Sequence, residues 1–330
     1  MGIVHLAPVG RSPGAVTAPL AYLKHLYDEQ QRTGQRLEKS VLPRRLGYPV
    51  EQVVLFLSDE MKRGYKGHKA YETVHNDYGT RTAKHTYPKE TEKVADIITE
   101  FVKRELAGEH KTAIFVRRVN VNDFNDCFRV IAETVLALGR PDDLGKTLWA
   151  NLTGGTNILN AALLEVAFLS GLISHLYYLF TDREDQKYLQ PFGSKDYRRF
   201  LDDHWRTVPA VKTSFDERYH YLLLYLADQP GWIDTGTLLR ELQNLHPQAF
   251  STMQLELFQK QWLRKMGSEI DWELDDSGNI TGRIQITEAG YDIVARIEEE
   301  LFRTLVQRGD APLVDIQSLR SKLEKDKVYP

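Results

Sequence analysis

The prediction of the fold begins with residues 5–17, which read His5-Leu6-Ala7-Pro8-Val9-Gly10-Arg11-Ser12-Pro13-Gly14-Ala15-Val16-Thr17. The segment His5–Val9 is mostly apolar and has the length of a buried strand. The segment Gly10–Gly14 supplies turn formers, and a helical pattern begins at about Val16. A strand, a glycine-rich turn and a helix in this order predict the first βα unit of a parallel sheet.

The same alternation continues over the first two-thirds of the chain. Further strands are predicted at Val53–Ser58, Ala113–Val119, Leu148–Leu152 and Ile173–Phe180, and helices at Lys89–Leu106, Phe124–Leu138 and Asn157–Ser170. Strands that alternate with helices form parallel βαβ units with right-handed crossovers. The predicted fold class for residues 1–182 is therefore α/β, with a Rossmann-like, mostly parallel sheet.

The pattern changes after residue 182. Residues 183–213 are rich in charge and contain helix breakers, which predicts a linker. Beyond it, helices are predicted at Glu217–Ala227, Thr237–Leu245 and Ser251–Met266, strands at Glu269–Leu274 and Ile280–Ile286, and a last helix from Thr287 to about Gln307. This order predicts a winged helix-turn-helix domain with a C-terminal helix over residues 214–330.

Composition excludes several classes of protein. The 330 residues include 43 basic and 46 acidic side chains, which rules out a polybasic coat protein for nucleic acid. Apolar residues at 42% indicate a globular chain. The single cysteine, Cys127, excludes a disulfide framework and a cysteine-ligated zinc site. Without a signal-peptide pattern or an apolar stretch of about 18 residues, we expect a cytoplasmic protein with no membrane partner.

Two glycine-containing loops follow predicted strands. Loop 1 is Val9–Thr17 and loop 2 is Asn151–Asn157. Ligands of open parallel sheets bind beyond the carboxyl ends of the strands, and free N–H groups at helix starts suit phosphates. The predicted ligand-binding residues are Gly10, Arg11, Ser12, Pro13, Gly14, Thr153, Gly154, Gly155, Thr156 and Asn157. The plain alternative is a pair of tight turns, since Gly and Ser are common turn formers. Neither loop matches a dinucleotide fingerprint or a P-loop.

These loops resemble those of the CRISPR-associated Rossmann-fold (CARF) sensor domains. The resemblance rests on the stretches Gly10–Thr17 and Asn151–Asn157 and covers residues 1–180 in element order. It implies a homodimer whose paired loops bind a cyclic oligoadenylate, either tetra- or hexa-adenylate, the second messenger of type III CRISPR defence. A winged helix after the sensor is a known arrangement in that family. Some members also cleave the messenger and are called ring nucleases.

Ring-nuclease chemistry, as the resemblance implies it, needs no metal or cofactor, because a ribose 2′-OH attacks its own adjacent phosphate. The predicted catalytic residues are Ser12, Lys84 and His85, the last two in the polar segment 79–88. Loop 2 departs from the family, which often has Lys or Arg where this chain has Asn157. If a cation is needed there, it comes from Arg11, Lys84, Arg117 or Arg118.

Other residues have simpler interpretations. Arg117 and Arg118 end a predicted strand, so they either contact the ligand or form a surface salt bridge. His5, His175 and Cys127 lie in apolar patterns and are predicted to be core residues. Arg199 and His204 match the R-x4-H spacing of HEPN ribonucleases. Because they lie in the predicted linker and not in an all-helical domain, we interpret the match as a coincidence.

Charge distribution weighs against DNA binding by the second domain. Residues 1–209 carry 29 basic and 26 acidic side chains, whereas residues 210–330 carry 14 and 20. A net negative domain with Asp275 and Asp276 in its wing turn is poorly suited to a phosphate backbone. The leading hypothesis is a ring nuclease that binds cyclic oligoadenylate. The alternatives are a messenger-responsive transcription regulator and a messenger-activated ribonuclease.

Overall fold

The structure is a computed structural model. It describes residues 2–10, 13–33, 49–63, 94–106, 112–139, 146–179, 204–208, 217–263, 266, 269–306 and 313–329. The chain divides into two compact units: unit 1 comprises Met1–Thr213 and Asp315–Pro330, and unit 2 comprises Ser214–Val314. The sequence assigned the last residues of the chain to the second domain, and that boundary is wrong, since these residues pack within unit 1.

Before unit 2 begins, unit 1 alternates strands and helices as predicted. Its elements are β1 (Gly2–Pro8), α1 (Gly14–Thr33), β2 (Val50–Leu57), α2 (Asp59–Arg63), α3 (Val94–Phe101, continued by a π-helical turn at Val102–Leu106), β3 (Ala113–Arg118), α4 (Phe124–Leu138), β4 (Lys146–Asn151), α5 (Asn157–Ser170), β5 (Ile173–Leu179) and β6 (Trp205–Val208). Local signals set some of these bounds. Asp123 caps the start of α4 by accepting hydrogen bonds from the backbone N–H groups of Asn125 and Asp126. Gly171 ends α5 in the left-handed conformation.

Unit 2 contains short helices around a small antiparallel sheet. Its elements are α6 (Glu217–Ala227), β7 (Ile233–Asp234), α7 (Thr235–Leu245), α8 (Pro247–Phe250), α9 (Leu255–Leu257, continued by a π-helical turn at Phe258–Trp262), β8 (Ile270–Leu274), β9 (Ile280–Ile286), α10 (Glu288–Glu298) and α11 (Glu300–Val306). The strands lie in the order β7-β9-β8. Helices and a hairpin follow one another as the sequence predicted. The last helix, predicted as continuous, is divided into α10 and α11 at Glu299, whose backbone is extended. The winged-helix assignment itself stays a prediction.

The helix predicted over Ser251–Met266 begins later than expected, at Leu255. The backbone N–H of Met253 donates to the carbonyl of Phe250 at 2.9 Å, and Nε2 of Gln243 in α7 donates to the carbonyl oxygens of Phe250, at 3.3 Å, and Met253, at 3.0 Å. Those carbonyls are thereby engaged by a side chain, and the backbone between α8 and α9 forms a turn instead of a continuous helix.

The chain returns to unit 1 after unit 2. Helix α12 (Ile316–Lys325) packs on α4, where Nε of Arg320 donates to the carbonyl of Ala137 at 3.0 Å. Strand β10 (Lys327–Tyr329) then pairs antiparallel with β3. Unit 2 is therefore an insertion between two parts of unit 1. The predicted linker 183–213 is also corrected in part, because β6 pairs antiparallel with β5.

The sheet of unit 1 has the order β10-β3-β2-β1-β4-β5-β6, and its five inner strands are parallel. On one face, alternate residues such as Ile3, Val53 and Trp149 form a buried core with α1 and α3. The other residues point to the opposite face, where Arg117 of β3 meets Glu133 of α4. Helices on both faces of a largely parallel sheet make unit 1 a Rossmann-like α/β fold. No helix in the described ranges is both long and apolar enough to cross a bilayer.

Candidate functional site

The strand order creates a switch point between β1 and β4. From β1 the chain adds β2 and β3 on one side, then crosses over to add β4 and β5 on the other. Strands β1 and β4 are parallel neighbours, with Leu6 opposite Ala150, so loop 1 and loop 2 leave the sheet side by side at its carboxyl edge. In open α/β sheets, the connections diverge at such a point and leave a crevice for ligands.

Glycines allow the two loops to touch through their backbones. A Cβ atom on Gly154 would lie 2.5 Å from the carbonyl oxygen of Pro8, and one on Gly155 would lie 2.5 Å from Cβ of Pro8. Gly155 also has a φ of +82°, a conformation that costs little only for glycine. A Cβ atom on Gly10 would in turn lie 3.0 Å from the backbone nitrogen of Gly155. Loop 2 therefore rests directly on the end of β1, with no room for a side chain between them.

Asn151, the last residue of β4, ties the two loops together. Its buried Nδ2 donates to the carbonyl of Ala15 in α1 at 2.8 Å, and its Oδ1 accepts from the backbone N–H of Thr153 at 2.9 Å. Thr153 is held in turn by its hydroxyl, which accepts from the backbone N–H of Leu179 at 2.8 Å. Asn151 opens the second loop that the sequence indicated, but it was not among the predicted ligand-binding residues, and its role in joining the loops was not predicted.

Both helices that leave this edge present N-termini there. Thr156 caps α5, since its hydroxyl accepts from the backbone N–H of Leu159 at 3.3 Å, and Thr156 and Asn157 are exposed. The first turn of α1 is closed by the carbonyl of Pro13, which accepts from the N–H groups of Val16 and Thr17. Unpaired N–H groups at a helix start attract anions, and here two such starts follow adjacent strands.

Arg117 and Arg118 have different surroundings. Arg117 is buried and bonds to Glu133 of α4 at 3.0 Å and to Asp326, beyond α12, at 2.8 Å. Arg118 points to the other face and is about half exposed, and its Nε donates to Oδ1 of Asp59 at 2.7 Å. Both arginines form salt bridges, which was one of the two predicted roles. Contact of either arginine with a ligand stays a prediction.

A cavity of about 380 Å³ opens at the carboxyl ends of β2 and β3. Among the described residues, those that line it are Ser58, Asp59, Arg118, Val119, Asn120, Val121, Asn122 and Asp126. Of these residues, sequence reasoning identified only Arg118. The others follow strands that carry no glycine signal, so only their neighbourhood in the fold brings them together.

Beneath the loops, β1 contributes a buried aromatic cluster. Nε2 of His5 hydrogen-bonds the hydroxyl of Tyr177, and the Tyr177 ring stacks on Trp205 with centroids 3.8 Å apart. Complete burial lowers the pKa of His5 to about 3, so this histidine is neutral. The prediction that His5 is a core residue is confirmed. Cys127 is also buried as predicted, and burial raises the pKa of its thiol to about 11.

Several predicted residues lie outside the described residues. They include Arg11 and Ser12 of loop 1, the whole segment 79–88 with Lys84 and His85, and Arg199. His204 is described and directly precedes β6.

Comparison with known proteins identifies no family. No protein-family profile matches the sequence. An uncharacterized protein of Archaeoglobus fulgidus is 27% identical over 264 residues, which is 74% of this chain and 73% of that protein. The solved structure titled "Enterococcus italicus Csm6 bound to cyclic hexa-2′-fluoro-hexa-dAMP" aligns with 81% of this chain at 11% identity and a TM-score of 0.37. The alignment spans 53% of that longer chain. A TM-score this low does not establish a shared fold, so the architecture rests on the sheet topology described above.

Proposed function

We propose that unit 1 binds a cyclic oligoadenylate at loops 1 and 2. The observation that carries the proposal is the direct backbone contact between Gly154–Gly155 and the end of β1, at the switch point of the sheet. It joins two helix N-termini in one crevice, which suits a ligand with several phosphates. The CARF-like sequences of both loops give the ligand class.

The net charge of unit 1 also supports ligand binding by this unit. Once residues 315–330 are assigned to unit 1, it holds 34 basic and 29 acidic side chains, a net charge of +5. Unit 2 holds 9 basic and 17 acidic side chains, a net charge of −8. This asymmetry is larger than the one that the predicted domain boundary gave. It favours an anionic ligand on unit 1 and disfavours DNA binding by unit 2. The transcription-regulator hypothesis remains an alternative that the experiments below test.

Cleavage of the bound ring is the second part of the proposal. A ribose 2′-oxygen attacks the adjacent phosphorus, the P–O5′ bond breaks, and the 2′-OH proton passes to the leaving 5′-oxygen. The products are a 2′,3′-cyclic phosphate and a 5′-hydroxyl. The protein holds the attacking and leaving oxygens in line and stabilises the developing charge. Ser12 is assigned to charge stabilisation, and Lys84 and His85 are assigned to proton transfer or phosphate contact.

A homodimer through α5 is the third part. Helix α5 carries few polar residues, chiefly Asn157, Asn160 and Glu165, although a helix on the surface of a monomer normally has a polar outer face. Ile158 is 39% exposed, and Ala161 is exposed one turn later. Because α5 starts at loop 2, a second copy on this face would bring two sets of loops into one basin.

Purified protein incubated with radiolabelled cyclic tetra- and hexa-adenylate tests binding and cleavage together. We expect tight binding of one ring size, and cleavage to linear products that EDTA does not inhibit. Ser12→Ala should bind but cleave at least tenfold more slowly, while Ser277→Ala, in an exposed turn of unit 2, should match the wild type. Intact ligand recovered from a tight complex would remove the nuclease claim and leave the sensor.

The same preparation tests the remaining parts. Ile158→Asp should convert a dimer to a monomer in analytical ultracentrifugation, whereas Ile280→Asp, at a 51% exposed residue of unit 2, should not. A gel shift with promoter DNA at physiological salt would favour the regulator. Cleavage of linear RNA that is lost in His204→Ala would favour the ribonuclease.

A further inference from the structure

The cavity at the ends of β2 and β3 lies beside the crevice of loops 1 and 2 but is distinct from it. Strand β2 lies next to β1, and β3 is one strand farther. Two strand spacings amount to about 10 Å, which is within the length of one extended nucleotide. One nucleotide can therefore place its phosphate at loop 1 and its sugar and base in this cavity. At about 380 Å³, the cavity falls within the size range of small-molecule sites.

The wall formed by the end of β2 provides a carboxylate. Asp59 comes two residues after Leu57, the last residue of the strand. In Rossmann-like folds, an acidic residue near this point is well placed to accept hydrogen bonds from ribose hydroxyls. Both hydrogen bonds from Arg118 reach the same oxygen, Oδ1. The Asp59 side chain is 45% exposed and lines the cavity, so a ribose hydroxyl can reach the carboxylate in addition to the partners that it already has.

The wall formed by the loop after β3 provides an amide. Asn122 is exposed at the cavity, and its side chain has no partner among the described residues. Its position is set by its backbone N–H, which donates to Oδ1 of Asn120 at 3.2 Å. Upstream, the backbone N–H of Val119 donates to the carbonyl of Leu57 at 3.0 Å and ties this loop to β2. A side-chain amide pairs with the N6 and N7 atoms of adenine through one donor and one acceptor.

We propose that this cavity is an adenosine subsite, in which Asp59 accepts from the ribose and Asn122 reads the adenine edge. Arg118, anchored by Asp59 and half exposed, contributes a cationic surface against which a base can stack. The subsite deepens the proposed function and rests on it for its place in the cyclic ligand. It also makes a claim of its own, because a single nucleotide is enough to occupy it.

Titration calorimetry of the full-length protein with three monophosphates tests the subsite. The probes are adenosine, 2′-deoxyadenosine and inosine 5′-monophosphates. The wild type should bind the adenosine nucleotide about tenfold more tightly than either of the others, since each analogue loses one hydrogen bond to a polar group of the site. Asp59→Asn should reduce the preference for ribose to about twofold or less. Asn122→Ala should reduce the preference for adenine over hypoxanthine to about twofold or less.

Controls keep the result interpretable. Asp276→Asn removes an exposed carboxylate of unit 2 and should leave all three affinities unchanged. Asn122→Ala removes an exposed side chain, so a folding defect is not expected from it. Unchanged preferences in both cavity variants would overturn the subsite, and so would absence of any monophosphate binding while cyclic tetra- or hexa-adenylate still binds. Failure of the proposed function is different: neither cyclic tetra-adenylate nor cyclic hexa-adenylate would bind, while the monophosphate preferences would persist.

Discussion

Gly155 provides the sharpest test of how loops 1 and 2 meet. Gly155→Ala introduces a side chain at a φ of +82°, which costs about 1–2 kcal/mol for an L-residue. The new Cβ would also lie 2.5 Å from Cβ of Pro8, far inside van der Waals contact. Overpacking of this kind typically costs a further ~1–3 kcal/mol. The sum predicts a loss of about 2–5 kcal/mol in the free energy that holds loop 2 against β1.

Gly278 offers a matched control. Its φ is +80°, and no atom lies within 4 Å of the position that a Cβ would take. Gly278→Ala therefore carries the conformational cost without the clash. Native-state hydrogen exchange read by mass spectrometry resolves the two units and gives a local free energy of opening for each variant.

The local free energies of opening of the two alanine variants are compared to test whether loop 2 contacts the end of β1. We expect Gly155→Ala to lose at least 1 kcal/mol more than Gly278→Ala and to weaken the binding of cyclic oligoadenylate at least tenfold. Equal losses in the two variants, with ligand affinity unchanged, would refute the direct contact between loop 2 and the end of β1.

Three further predictions concern the supports of the site. Arg117→Met should lower the free energy of unfolding by about 1–3 kcal/mol, because Oε2 of Glu133 loses its partner while Arg129 and Lys322 still bond to Oε1, and Glu133→Gln in the same chain should restore part of the loss in urea titrations. Asn151→Leu should cost about 1–3 kcal/mol, since it leaves the carbonyl of Ala15 and an N–H of loop 2 unpaired, and the affinity for cyclic oligoadenylate should fall in parallel in titration calorimetry. Burial lowers the pKa of His5 to about 3, so only the unfolded chain takes up its proton as the pH falls from about 6.5 towards 3. This favours unfolding by up to about 1.4 kcal/mol per pH unit, and His5→Leu should show a smaller loss of stability between pH 7 and pH 5.

Elements with strong local signals could be predicted from sequence. The helices Phe124–Leu138 and Asn157–Ser170 have the predicted bounds, because Asp123, Thr156 and Gly171 mark their ends within the chain itself. Edge strands could not be predicted in the same way. Trp205–Val208 and Lys327–Tyr329 are short and become strands only by pairing with β5 and β3, which are distant in sequence.

The two arginines illustrate the same limit at the level of the site. Sequence alone treated Arg117 and Arg118 as equivalent neighbours at a strand end. The pleat sends them to opposite faces, so one meets Glu133 and Asp326 while the other lines the cavity with Asp59. Asp326 belongs to the returning C-terminal segment, whose place in unit 1 no local pattern indicates.

The α/β class, the βα order of unit 1 and the two glycine-containing loops follow from the amino-acid sequence, because strand and helix periodicity and turn chemistry are local properties. Three features became visible only in the folded chain: β1 and β4 are neighbours, Gly155 rests on Pro8, and Asn151 ties the loops together. The folded chain also shows that β2 and β3 enclose a polar cavity. These features depend on the lateral order of strands, which is set by the packing of helices on both faces of the sheet and not by any one segment.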